Sequence, residues 1–322
     1  MAWIDGSTGT ATAIATAYAL DWAIGDPPRP THPVVLIGRV IAFLERQLYG
    51  AAERRARLLG AGAVLVALVV GGTAGTSLLA LDLAGRVSPW LRWTLQVWWL
   101  QTALAARGLY GTAYGVERPV AAGDLPSARR QLRALVGRDP EGLPASEIRR
   151  AVIESVAENT SDAVLAPLFW AAVGGAPLAL AYKAVNTLDS MIGYPDARYH
   201  LFGRAAARLD DAANWLPARL GGLLTVAAAA LCGLRASAAW RVWRQDARHH
   251  ASPNAGIGEA VYAGALGLRL GGQSRYDGEL RDRGVLNAAG RAPGERDVGR
   301  ALRLLAVAST LGATAAAARW LL

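Results

Sequence analysis

The 322-residue chain is 53% hydrophobic and 18% charged, with a mean hydropathy of +0.22. Soluble domains carry about 25% charged residues, so this composition excludes a disordered chain and argues against an ordinary soluble enzyme. The net charge of +9 comes from arginine with one exception, Lys183, and the single cysteine, Cys232, excludes an intramolecular disulfide or a cysteine-based zinc cluster. The apolar setting of Cys232 reads as a packed small hydrophobe.

Taken in chain order, apolar runs near residues 6–24, 58–83, 90–107, 163–182, 218–234 and 303–320 predict about four to six membrane segments. The expected fold class is all-α: one membrane-embedded domain over residues 1–322, polytopic, with cytoplasmic helical loops. Residues 58–81 carry no charge and can span alone, and Gly71, Gly72 and Gly75 within them suit the close approach of a second helix. Trp90, Trp93, Trp98 and Trp99 suit a membrane interface. The opening MAWIDGST lacks the basic region of a secretory signal. Residues 25–57 read as a first long loop, and Arg29, Arg39, Arg46, Arg54, Arg55 and Arg57 place it in the cytoplasm with the N-terminus outside.

Residues 119–136 read as an amphipathic helix with Leu125, Ala128, Leu132 and Leu135 on one face, broken by VGRDPEGLP at 136–144. The next helix is expected from Ser146 as its N-cap. If residues 163–182 span, residues 183–219 face outward. Pro167, Gly174, Gly175 and Pro177 predict instead a broken or re-entrant segment lining a cavity. Residues 273–300 read as an exposed loop before the last helix.

The residues with chemistry cluster in a few segments. In ESVAENTSD (154–162), Glu154, Glu158 and Asp162 recur every four residues, so a helix places them on one face with Ser155 and Asn159 beside them. Stacked carboxylates repel unless cations sit among them. They suit Mg²⁺, which takes oxygen ligands and bridges carboxylate to phosphate, or else form a solvated face with Arg150 as partner. In YKAVNTLDSMIGY (182–194), Lys183, Asn186 and Ser190 share a face with Asp189 adjacent. The one lysine offers a compact charge for phosphate, where arginine offers a planar fork; the alternative is a snorkelling interfacial lysine.

The run 198–220 adds Arg198, Arg208, Asp210, Asp211, Asn214 and Arg219, and at most one of the two adjacent aspartates can face a site. Asp21, Asp26 and His32 flank a proline-rich turn, where a single histidine is more often structural than a ligand or base. SPNAGIGEAVYAGALGLRLGG (252–272) brings Asn254 and Glu259 to a glycine-rich helix entry, whose amides can hold an anion or whose glycines permit close packing. No Walker A, GxGxxG, GxSxG, HExxH or paired CxxC motif occurs. The arginines are spread over loops beside apolar segments, which fits topology and anionic lipid and not nucleic acid.

Together, DWAIGDPP, HPVVLIG, VGRD, ESVAENTSDAVLAPLFW, YKAVNTLDSMIGY, RYHLFGRAAARLDDAANWLPARL and SPNAGIGEA resemble the CobD/CbiB family of cobalamin biosynthesis. These motifs extend from residue 21 to about residue 278; Pro140 stands where a small hydroxyl residue is expected. The resemblance implies a multi-pass protein of the bacterial inner membrane with a cytoplasmic active site. It implies an adenosylcobinamide-phosphate synthase, a ligase whose substrates are the corrinoid adenosylcobyric acid and aminopropanol or its phosphate. ATP is expected as co-substrate with Mg²⁺, through an acyl phosphate. Partners then include membrane lipid and other cobalamin-pathway enzymes or a second copy, with no nucleic acid.

On this reading Glu154, Glu158 and Asp162 hold Mg²⁺, with Asp189 as a further ligand. Lys183, Arg138 and Arg208 contact phosphate. Asn186 and Asn254 orient a substrate amide or carboxylate, with Asn159, Asn214 and Glu259 as further binding groups. Asp210 or His32 takes the amine proton, so Glu158, Lys183, Asp210 and His32 form the catalytic set. Two other classes remain open: a UbiA-like Mg²⁺-diphosphate membrane transferase, and a non-catalytic scaffold or sensor for corrinoid enzymes.

Overall fold

The computed structural model describes residues 6–26, 32–50, 55–194, 196–276 and 278–322. Arg29, Arg54 and the proline-rich turn at 27–31 lie outside the described residues, as do residues 1–5; the side chain of Arg55 is likewise outside them. The described residues are mainly helical and fall into two compact units.

The first unit covers residues 1–105, 166–216 and 313–322. It holds α1 (Gly6–Ile24), α2 (Pro33–Gly50), α3 (Arg55–Val87), α4 (Pro89–Ala103), α8 (Ala166–Ile192), α9 (Tyr199–Phe202) and the first half of α10 (Arg204–Leu231). Helix α2 corrects the expectation of a long loop at 25–57. Its sequence is amphipathic: Ile37 and Ile41 are buried while Leu36, Val40 and Phe43 are exposed. Pro33 fits the first helical position, where its missing N–H costs nothing. Ile37 and Ile41 pack with Leu65, Val66 and Val69 of α3, Leu188 and Ile192 of α8, and Phe202.

Gly71, Gly72 and Gly75 face open space, so the close approach expected there is not made among the described residues. It is made at Gly62, where a Cβ would collide with the Phe202 carbonyl. Helix α8 is broken where its sequence predicts: Gly174 (φ −150°, ψ 28°) and Gly175 (φ 66°, ψ −157°) are non-helical, just before Pro177. The φ of Gly175 belongs to glycine, because a Cβ is disfavoured there.

The second unit covers residues 106–165 and 217–312. It holds α5 (Ala106–Ala121), α6 (Leu125–Leu132), α7 (Ala145–Thr160) with a π-helical turn at Ser161–Leu165, the second half of α10, α11 (Ala236–Asp246), α12 (Ala255–Leu266), strands β1 (Leu270–Tyr276) and β2 (Glu279–Leu286), and most of α13 (Asp297–Ala318). The helix expected from residue 119 starts at Leu125. Pro119 lies inside the last turn of α5, which ends at Ala121, and the Asp124 carboxylate caps α6 through the Ser127 amide, 3.0 Å away. Ala128 and Leu132 form its buried face as expected. Ser146 is not the N-cap of α7, which begins one residue earlier after Pro144.

The antiparallel hairpin β1–β2 corrects both the all-α expectation and the loop at 273–300. Its strands carry little apolar alternation because β2 lies mostly exposed. Gly271, Gly272, Gly278 and Gly284 all take positive φ, and the register shifts between Gly271 and Gln273.

Three helical stretches are long and apolar enough to cross a membrane among the described residues: Ala56–Val87, Ala145–Ile192 and Asp297–Ala318. The runs near 6–24, 90–107 and 218–234 lie on α1, α4 and α10, which do not reach that combination of length and hydropathy. The membrane character read from composition therefore rests on three candidate spans.

Candidate functional site

In the second unit, helix α7 presents its acidic stripe to the hairpin and to α12. Glu154 is 2% exposed and fully engaged. One oxygen accepts from the Arg138 guanidinium; the other accepts from Arg150 Nη1 at 3.2 Å and from the Gly271 amide at 2.8 Å. Arg150 also binds Glu147 (2.5 Å) and the carbonyls of Gly271 and Gln273. A buried carboxylate persists as an ion only when surrounded in this way. The loop that carries Arg138 is pinned to the hairpin: the Asp139 amide donates to the Arg275 carbonyl (2.9 Å), and the Gly278 amide to Asp139 Oδ2 (2.8 Å). Arg138 keeps two buried N–H positions, Nε and Nη1, without partners among the described residues.

One turn along α7, Glu158 is half exposed and lies 3.8 Å from Arg283 of β2. Arg283 also donates to Glu259 Oε1 (3.0 Å) and to His250 Nε2 (2.8 Å). His250 Nδ1 lies 3.3 Å from the Ser252 carbonyl and 3.1 Å from the Ser252 amide, which donates to it. Burial, then the charge of Arg283, lowers the His250 pKa and favours a neutral ring. Glu259 is 0% exposed, and its Oε2 has no partner among the described residues. Burial pushes its pKa up to about 8, and the charges of Glu154 and Glu158 add to the effect while Arg283 and Arg138 oppose it.

Glycine makes this packing possible. A Cβ on Gly258 would lie 2.8 Å from the Ala157 carbonyl, and one on Gly264 would meet the backbone at Ala238 and Ala239. The glycines of 252–272 thus let α12 close on α7 and α11, which is the packing alternative offered by the sequence. Asn254, 4% exposed, starts α12 and accepts from Arg219 Nη1 at 3.4 Å. Its side chain makes no capping bond; the Ser252 hydroxyl accepts from the amides of Asn254 and Ala255 instead. Arg219 and His250 also line an open cleft of about 590 Å³ with Trp240, Trp243, Arg244 and Arg248.

Asn159 turns back on its own helix, donating to the Ser155 carbonyl at 2.9 Å. Asp162 lies half-buried in the π-helical turn. Among the described residues no group of three or more histidine, cysteine or acidic side chains is placed to hold a metal ion.

A second polar group lies within the first unit. Tyr182 donates to Asn214 Oδ1 (2.8 Å), and Asn214 Nδ2 donates to Asp210 Oδ2 (3.0 Å), which ties α8 to α10. Lys183 Nζ lies 3.5 Å from Asn186 Oδ1. Asp210 Oδ1 is buried without a partner among the described residues. Burial, then the charge of Asp189, raises the Asp210 pKa to about 6, against hydrogen bonds from Asn214 and Asn186. Asp211 is exposed, so only one of the adjacent aspartates faces this group, as helical geometry requires; Arg208 is exposed as well. His32 Nδ1 accepts from the Val34 amide (3.2 Å) at the start of α2, and its Nε2 lies 3.8 Å from Asp26.

The CobD/Cbib protein family model matches residues 14–305. The chain belongs to the CobD/CbiB family. As a member of that family it is 46% identical to cobalamin biosynthesis protein CbiB of Salmonella typhimurium over 304 residues, 94% of this chain and 95% of the relative. It is 47% identical to CbiB of Salmonella choleraesuis over 297 residues (92% of each chain). Cobalamin biosynthesis protein CobD of Klebsiella pneumoniae subsp. pneumoniae is 46% identical over 302 residues, 94% of this chain and 95% of the relative. No solved structure matches the chain.

Within this CobD/CbiB member, sequence reasoning missed Arg283, His250 and Glu147, and took Arg150 only as the partner in the alternative reading of the stripe. Arg283 was hidden by reading the hairpin as a loop. Its one available signal was its place between acidic Asp282 and Gly284, where a strand kinks.

Proposed function

We propose that the chain acts in cobalamin biosynthesis and forms the amide bond between adenosylcobyric acid and aminopropanol or its phosphate, driven by ATP. The observation that carries this reading is the family match over residues 14–305, joined to relatives named as cobalamin biosynthesis proteins. A carboxylate is a poor electrophile at neutral pH. In this proposal a carboxylate oxygen of the corrinoid attacks the γ-phosphate of ATP, releasing ADP and leaving an acyl phosphate. The amine nitrogen then attacks the carbonyl carbon, phosphate leaves, and a proton is lost from nitrogen.

The second unit supplies groups suited to these demands. Arg138 has N–H groups still to satisfy, and a guanidinium fork matches phosphate oxygens. Arg219 and Arg244 beside Trp240 and Trp243 suit a ligand with an anionic and a planar part. Glu259, tuned to about 8, is matched to accepting a proton from an amine near neutral pH. Asp210, at about 6, is the alternative base, and Lys183 and Asn186 beside it are the phosphate and amide contacts of the first unit.

The residues fit a magnesium ion that arrives with its phosphates better than one caged by protein. Glu154 is occupied by two guanidiniums and an amide, whereas Glu158 is half exposed. Mg²⁺ commonly keeps several waters and takes one or two carboxylates. Glu158 is the stripe residue that would hold it, and the ion would offset the charge developing on the transferred phosphate. We place the protein in the bacterial inner membrane with this chemistry on the cytoplasmic side, in keeping with the three candidate spans and the arginine-rich loops.

The test is reconstitution of the purified chain in lipid with adenosylcobyric acid and ATP. Aminopropanol, aminopropanol phosphate and ethanolamine phosphate are offered separately, and products are read by mass. An amide product with ADP is expected. Consumption of a prenyl diphosphate with no amide product would favour the transferase class instead.

A further inference from the structure

The second unit has another cleft, of about 730 Å³, lined by Arg235, Arg291, Arg300 and Arg303 together with the chain ends of α10 and α12 at Cys232–Leu234 and Ala265–Gly267. Cys232 is only partly buried there, not fully packed as its sequence setting suggested.

Four arginines line this cleft, and no acidic residue is among its lining residues. Buried Asp297 takes Arg291 in a two-pronged pair (2.6 and 2.8 Å) and lies 3.7 Å from Arg300. Arg235 and Arg303 have no acidic partner among the described residues, and both are exposed. The carbonyl ends of α10 and α12 account for one cation, since Arg235 lies over Gly267. With Asp297 taken by Arg291, Arg303 is left without an acidic partner among the described residues, and Arg300 has only a share of one.

Position adds a second argument. Arg300 and Arg303 occupy the first two turns of α13, a candidate membrane span, and the apolar run LLAVASTLGATAAAA begins directly after Arg303. If α13 crosses the bilayer, the cleft opens at headgroup level, where each arginine near an anionic surface gains about five-fold in binding.

We propose that this cleft binds a phosphate group, carried by an anionic lipid headgroup or by a soluble phosphate ester. The site uses none of the residues assigned to amide formation, so the two readings fail separately.

The test uses the full-length protein in nanodiscs of phosphatidylcholine with a minor fraction of phosphatidylglycerol. Lipid retained on extraction is read by native mass spectrometry, with and without inorganic phosphate. Wild type should enrich phosphatidylglycerol. Arg303→Gln should lower the enrichment about five-fold, and Arg300→Gln with Arg303→Gln about 25-fold. Arg303→Gln touches no ion pair, so its folding is secure even if the double variant is impaired. Displacement of the lipid by millimolar phosphate would identify a soluble phosphate ester as the ligand; no displacement would identify the lipid. Unchanged enrichment in Arg303→Gln and the double variant, with no phosphate-dependent rise in melting temperature in wild type, would overturn the proposal.

Discussion

Glu259 accepts a 3.0 Å hydrogen bond from Arg283 with one oxygen while its other oxygen is buried without a partner among the described residues. The pair joins α12 to the hairpin and places an unsatisfied carboxyl among guanidiniums. Such a group is costly in a folded protein unless it has a use.

A pH-dependent stability follows. The folded Glu259 has its pKa raised to about 8 from a model-compound value of 4.5. Between those values the unfolded chain releases a proton that the native state retains, so stability falls as pH rises through this window. For one proton the slope is at most about 1.4 kcal/mol per pH unit. Glu259→Gln should flatten the slope between pH 5 and 8, measured by thermal unfolding in detergent. Equal slopes in the two proteins would refute the assignment.

Asp210 offers the same logic in the first unit over a narrower range. Its raised pKa makes its contribution to stability fall from about pH 4 to about 6. Asp210→Asn should therefore melt no lower than wild type at pH 7. If Asp210 is the amine base, its loss cuts turnover by about 10²-fold or more. The acid limb of the rate profile separates the two candidates: near pH 6 for Asp210, near pH 8 for Glu259.

Glu154 is expected to matter for folding before it matters for chemistry. Glu154→Ala leaves Arg138 and Arg150 buried without their shared anion, a loss of about 3–5 kcal/mol. Glu154→Gln keeps the acceptor for the Gly271 amide and should cost less. Expression level and unfolding midpoint in detergent check both.

At Gly258 an added methyl would sit 2.8 Å from the Ala157 carbonyl. Gly258→Ala should therefore destabilise by about 1–3 kcal/mol and displace Glu259. Gly60→Ala, with nothing within 4 Å, should be neutral or slightly stabilising. Comparison of their unfolding midpoints tests the close approach of α12 to α7.

Glu158→Gln tests the second-unit reading, and Lys183→Ala tests the alternative first-unit reading. Each should lower kcat by about 10²-fold or more with little change in KM if it acts only in the chemical step. Near-normal turnover in either removes that residue from the mechanism.

Much of the helical plan was legible, because apolar runs and breakers act locally. The break at Gly174–Gly175 and the burial of Ala128 and Leu132 follow from residue type alone. Helix α2 was not legible because apolar residues stand on its exposed side (Leu36, Val40, Phe43) as well as on its buried Ile37–Ile41 face, which blurs the helical period. The hairpin was missed because few of its residues are apolar, the first four of β2 are exposed, and its shape depends on glycines at positive φ, which leave no hydrophobic period. The acidic stripe was visible, but its partners were not. Arg138 and Arg150 reach Glu154 only after the loop at 136–144 and the hairpin have folded onto α7, a tertiary event with no local signature.

The most direct test of the central claim follows oxygen. Adenosylcobyric acid labelled with ¹⁸O in its reacting carboxylate is incubated with ATP, aminopropanol phosphate and the reconstituted chain, and the released phosphate is weighed. An acyl phosphate route transfers one label into inorganic phosphate for each amide formed, with ADP in equal amount. Amide formation with unlabelled phosphate, or no amide at all from a folded protein, would contradict it.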